Sequence, residues 1–254
     1  DAVLIGVIMQ RIARGQRRAT TVCFSDKAVI RAIGGQLYFV FQVCEMRKHQ
    51  LIEAHVRVYC IRRTVTPGSR IAIPFQSHTM RLQQPDDELG GMMLLAMPQQ
   101  VVHRIDPWSP LMPRTDGAAE VPAPRWHSST HSAYPSVLQR QTDIETGNRE
   151  ARDQKGSLDK GEDPTCPSTD AVRQHMVDHC CELLVLVEGI DAVTSYTVQA
   201  RHSYTVKDIV FGDAFFAPCV SQSPFTGGCV IDFHAFHAVH KTVSDDDLFV
   251  QSYT

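Results

Sequence analysis

No GxSxG, P-loop, HExxH or strand-following GxGxxG pattern occurs anywhere in the chain. That removes the signatures of nucleophile-elbow hydrolases, phosphate-cradling loops, zinc proteases and dinucleotide binders, and no enzyme activity is expected. An excess of positive charge is missing too: 25 Lys+Arg face 28 Asp+Glu, for a formal net charge of -3. Counterion release needs a broad basic face, so nucleic acid is not an expected partner. No apolar run reaches the roughly 20 residues that a membrane span requires. The eight cysteines show no CxxC spacing, and Cys180 and Cys181 are adjacent. Free, mostly buried thiols in a reducing compartment are expected rather than a disulfide framework.

What is present begins with DAVLIGVIMQRIARGQRR, an apolar run that flows into Arg11, Arg14, Arg17 and Arg18. A secretory signal places its charge before the apolar stretch, whereas here it follows. The order fits a helix leaving a membrane on its cytoplasmic side. With 43% hydrophobic residues the remainder can fill a sizeable core.

From Thr21 the texture is that of strands. Segments 36–43 (QLYFVFQV), 55–63 (HVRVYCIRR), 92–97 (MMLLAM), 100–105 (QVVHRI), 182–190 (ELLVLVEGI) and 193–206 (VTSYTVQARHSYTV) are apolar or alternate over strand lengths. Short strands with Gly and Pro punctuation predict a mainly β protein, a β-sandwich. Residues 113–178 are rich in Pro, Ser, Thr, Asp, Gln and Arg and hold almost no aliphatic clusters. They are expected to form a disordered insertion that splits the sandwich in sequence. The expected organisation is a helix end over 1–16, a tether over 17–22, sandwich segments over 23–112 and 179–254, and the insertion between them.

His234, His237 and His240 recur every third residue, and His179-Cys180-Cys181 groups soft ligands. The three histidines read as part of an extended strand and its exit, where a period of three does not share a face. No metal is expected.

Several blocks, in order, carry a resemblance: RKHQLIEAHVR (47–57), VVHRIDPWSPL (101–111), LVLVEGIDAVTSYTVQARHSY (184–204) with IVFG (209–212), and VIDFHAFH (230–237). Together they resemble the cytoplasmic domain of inward-rectifier potassium (Kir) channels, and the first 25 residues resemble the end of that family's second transmembrane helix and its tether. The resemblance implies an immunoglobulin-like β-sandwich that assembles as a homotetramer, or a heterotetramer with related subunits, below a pore in the plasma membrane. No TxGYG or TxGFG filter motif is found in the sequence, and K⁺ selectivity depends on filter carbonyls.

By matching position, the resemblance implies that Arg11, Arg14, Arg17 and Arg18, with Arg47 and Lys48 from a sandwich loop, bind the phosphates of phosphatidylinositol 4,5-bisphosphate (PIP2). Guanidinium forks fit phosphate oxygens at that depth. Gly15 stands where relatives usually have Pro and Gln16 where Lys is usual. Asp1, Glu53, Glu188 and Asp87 match acids lining the pore; fourfold symmetry makes each a ring that attracts K⁺ and the blockers Mg²⁺ and polyamines. Ile5 and Met9 match the apolar bundle crossing, and Ser195 and Tyr196 match the girdle at the cytoplasmic mouth, with Tyr196 replacing a smaller residue. No resident cofactor is implied. The competing reading is a cytosolic β-sandwich adaptor, which has no need of the membrane-helix end at residues 1–18.

Overall fold

The structure, a computed structural model, describes residues 3–7, 18–47, 51–65, 72–86, 90–113, 167–223 and 227–241. The core lies between two five-stranded sheets. The first joins β1 (Val22–Phe24), β2 (Ala28–Ile33), β3 (Gln36–Glu45), β7 (Gln99–Ile105) and β10 (Ile209–Phe211). Here β3 is central: β1 and β2 pair with it in succession, β7 pairs with it antiparallel, and β10 adds to β2 in parallel. The second sheet joins β4 (Leu51–Val65), β5 (Ala72–Met80), β6 (Met92–Met93), β8 (Glu182–Asp191) and β9 (Thr197–Thr205), with the order β5-β4-β8-β9 and β6 added to β4. Segments on either side of the expected insertion thus pair directly, β4 with β8.

Burial explains the sequence texture of the strands. In β8 the side chains of Leu183, Val185 and Val187 point into the core and their neighbours point out, the alternation of a sheet buried on one face. By contrast β3 is apolar almost throughout, because its second face is covered as well: Val40 and Val29 pack against Ala214 and Phe216 of β11 (Ala214–Phe216). β11 pairs with β14 (Val239–Lys241), and β12 (Val220–Gln222) with β13 (Cys229–Ile231). At the centre Phe39, Phe41 and Tyr204 contact one another, with ring centroids 5.5 to 6.1 Å apart. Each ring contributes about 1.5–3 kcal/mol through burial. The buried Tyr204 hydroxyl donates to the Ser25 carbonyl at 2.8 Å.

Several expectations are corrected. MMLLAM yields only the two-residue β6, since Leu94 to Met97 turn away from the sheet. Residues 192–194 form a turn, so the strand expected from Val193 starts at Thr197. The last part of the expected insertion is ordered: α1 (Thr169–Asp178) starts at Ser168, whose hydroxyl accepts from the Ala171 amide at 3.1 Å. It buries Val172 and Met176, one turn apart, in the main core. His175 of α1 contacts the Pro110 carbonyl at 3.2 Å, and burial pushes its imidazole down to about 4. At neutral pH it is therefore uncharged. His234 and His237 lie on the helix α2 (Phe233–His237), not on a strand, while His240 lies on β14. All seven described cysteines are free, but Cys180 and Cys229 are exposed rather than buried.

A close approach fixes one glycine. Gly91 has φ +68°, its carbonyl accepts from the Val56 amide, and a Cβ built there would lie 2.6 Å from the Val56 carbonyl oxygen. Gly91→Ala is expected to cost about 2 kcal/mol or more, through left-handed strain and displacement of β4. Thermal unfolding of the full-length protein checks this.

Candidate functional site around Arg18

Immediately after the basic cluster the chain makes a helical turn at residues 18–19, closed by the Thr21 amide donating to the Arg18 carbonyl at 3.1 Å. The turn aims Arg18 inward, and the residue is 3% exposed. Its Nη1 lies 2.7 Å from Glu45 Oε1, and its Nε lies 3.0 Å from Asp191 Oδ1. Nη1 also donates to the Thr21 hydroxyl. One guanidinium thus links three segments: the start of the sandwich, the end of β3 and the end of β8. Such charge-assisted bonds hold geometry firmly when both partners are buried.

Each acid then organises a loop. Glu45 Oε1 accepts the Arg47 amide at 3.2 Å, which orients the exposed Arg47 at the point where the chain leaves β3. Asp191 closes the turn at 192–196. Its Oδ2 accepts the Thr194 hydroxyl at 2.6 Å and the Thr194 amide at 3.1 Å, and its carbonyl accepts the Ser195 amide at 2.8 Å. The Asp191 amide donates to the Tyr196 carbonyl at 2.9 Å. The Thr194 hydroxyl, and after it Arg18, hold the Asp191 carboxyl below the usual carboxylate range. Ser195 takes φ 57°, and the turn presents Val193 and Tyr196 to solvent.

Two of the acids expected in a pore, Glu53 and Glu188, lie on the second sheet. Glu53 is exposed, with φ 50°, at an irregularity where the β4–β8 register shifts between Ile52 and His55. Glu188 points away from the core on β8. Its Oε1 accepts from Gln199 Nε2 at 2.6 Å, and its Oε2 lies 3.5 Å from Arg57 Nη1. The ion pair with Arg57 is solvent-exposed and weak, so Glu188 keeps part of its field.

With this geometry in place, comparison with known proteins identifies the family. The family profile described as "Inward rectifier potassium channel C-terminal domain" matches residues 22–120 and 162–249. The chain belongs to this inward-rectifier family. It is 27% identical over 215 residues to rat "ATP-sensitive inward rectifier potassium channel 8", covering 85% of this chain and 37% of that protein. It is 25% identical over 236 residues to human "ATP-sensitive inward rectifier potassium channel 11", covering 93% and 45%. It is 26% identical over 240 residues to "Inward rectifier potassium channel irk-1" of Caenorhabditis elegans, covering 94% and 33%. The chain thus spans less than half the length of these inward-rectifier relatives. The two stretches matched by the family profile leave 121–161 unmatched, inside the segment read as an insertion.

The guanidinium of Arg18, expected to contact lipid, is buried in this structure and engaged by two carboxylates and a hydroxyl. Arg47 is exposed, as a phosphate ligand has to be. Ile5 is helical and 57% exposed, as are its apolar neighbours Val3, Leu4 and Val7 to a similar degree. Asp1, Met9, Arg11, Arg14, Arg17, Lys48 and Asp87 lie outside the described residues. Among the described residues no helix is long and apolar enough to cross a membrane, and no cluster of His, Cys, Asp and Glu is arranged to hold a metal. His237 is instead engaged locally, with Nδ1 3.2 Å from Asp26 Oδ1 and Nε2 3.8 Å from Cys23 Sγ.

Sequence reasoning missed Glu45 and Asp191. The available signal was an acid at the end of each of two strand patterns, two residues before Arg47-Lys48 in one case and three residues before Thr194-Ser195 in the other.

Proposed function

We propose that this chain forms the cytoplasmic part of an inward-rectifier K⁺ channel subunit, tetrameric at the plasma membrane, opened by PIP2 and blocked from inside by Mg²⁺ and polyamines. The observation that carries the reading is Arg18, which ties the end of the basic tether to both Glu45 and Asp191. Lipid phosphates bound by Arg11, Arg14, Arg17, Arg47 and Lys48 would pull on a segment whose next residue is locked to the 192–196 turn. Arg18 is then the pin that passes this movement to Ser195 and Tyr196, the girdle, rather than a lipid ligand. Asp1, Glu53, Glu188 and Asp87 supply the rings that concentrate K⁺ and hold blockers, and Ile5 and Met9 supply an apolar gate.

Excised-patch recording of the full-length channel tests the lipid site. Each basic side chain near an anionic surface contributes about 1 kcal/mol. Arg47→Gln is therefore expected to raise the PIP2 concentration for half-activation about fivefold. An unchanged PIP2 response would remove Arg47 from the lipid site.

A further inference from the structure

The outer face of the first sheet, opposite the core, holds a cavity of about 380 Å³. Its floor is a cross-strand row of three valines, Val29, Val40 and Val102, in direct register on β2, β3 and β7. Phe215 and Phe216 of β11 line it, and Gln83, Gln84 and Gln100 add amide groups. The next row along the sheet is Arg31, Tyr38 and Arg104, again in register. Arg31 and Tyr38 line the cavity.

The arginines are unbalanced. Among the described residues the Arg31 side chain makes no ion pair or hydrogen bond, and its Nε is buried. Arg104 Nη2 donates to Gln36 Oε1 at 3.0 Å, but its Nε is also buried, with no partner among the described residues. A guanidinium donor withdrawn from water with no acceptor is costly, and an anion arriving through the open side would relieve that cost. The planar fork suits a carboxylate or phosphate, and the valine floor with the phenylalanine wall suits an apolar body. A cavity of about 150 Å³ already admits benzene, so this one has room for a ring, its anionic head and small substituents.

We infer that this cavity is a binding site for a small amphipathic organic anion, a carboxylate or phosphate monoester whose head meets Arg31 while its apolar body lies on the Val29, Val40 and Val102 row beside Phe215. The site is separate from the Arg18 cluster and from the acids of the second sheet.

Calorimetry and saturation-transfer NMR on the full-length protein test it with four probes: phenyl phosphate, benzoate, neutral benzyl alcohol and inorganic phosphate. At least one aromatic anion is expected to bind tenfold or more tightly than both benzyl alcohol and inorganic phosphate. Arg31→Gln is expected to lower that affinity at least tenfold, with Arg31→Lys retaining part of it. Phe215→Ser, at a position already 40% exposed, lowers it without touching the charge and serves if the arginine variant fails to fold. Failure of both aromatic anions to bind, equal binding of benzyl alcohol or inorganic phosphate, or binding indifferent to both Arg31→Gln and Phe215→Ser overturns the assignment.

Discussion

Arg18→Gln is expected to lower the unfolding free energy by about 3–5 kcal/mol, the usual cost of removing one partner from a buried ion pair. The Glu45 side chain is 0% exposed and that of Asp191 9%. Glu45 Oε2 already has no partner among the described residues, so losing Arg18 strands a carboxylate that water cannot reach. Replacing Arg18 by Lys restores charge but not the fork that spans two acids, and a substantial loss is expected there too. The pH dependence has a definite sign. Asp191 has a depressed pKa in the folded state, so its contribution is complete above the ordinary carboxylate range and is lost as pH falls from that range through the lower folded-state value. The gap between the wild-type protein and Arg18→Gln should therefore be largest near neutral pH and narrow in acid. Chemical unfolding across pH, with hydrogen exchange at residues 192–196 to follow the turn, checks this. A loss below about 1 kcal/mol with unchanged exchange would remove the pin.

The double substitution Glu53→Gln with Glu188→Gln is expected to raise the internal spermine concentration for half-block roughly hundredfold. In the proposed tetramer two carboxylates per subunit become eight around a fourfold axis, and at separations near the screening length their combined field on a polycation is several kcal/mol. Glu188 contributes less than Glu53, because Arg57 stands 3.5 Å from its Oε2. For the same reason Arg57→Gln should strengthen block. Voltage-step recordings of the full-length channel with spermine on the inner side measure all three. Undiminished rectification in the double variant would place these acids outside the pore.

The sandwich was legible because its strands state their burial in their own patterns. Alternation in β8 and the continuous apolar run of β3 follow from one covered face and two. α1 was not legible: its buried stripe is Val172, His175 and Met176, of which only two are apolar, and polar low-complexity sequence precedes it. The turn at 192–196 was hidden because Val-Thr-Ser-Tyr has strand propensity, and only the Asp191 and Thr194 bonds bend it. The acids and basic residues of the candidate site could be matched one by one, but not the direction in which each points. Arg18 looks in sequence like its neighbour Arg17. What separates it is the pair Glu45 and Asp191, distant in sequence by 27 and 173 residues.

The most direct measurement is the current carried by the full-length protein in planar bilayers with symmetric K⁺. The expected result is a K⁺-selective conductance that requires PIP2 and passes inward current more readily than outward when Mg²⁺ is present on the cytoplasmic side. No K⁺ conductance in PIP2-containing bilayers, or a conductance equal in both directions with Mg²⁺ present, would contradict a PIP2-gated inward rectifier built on this domain.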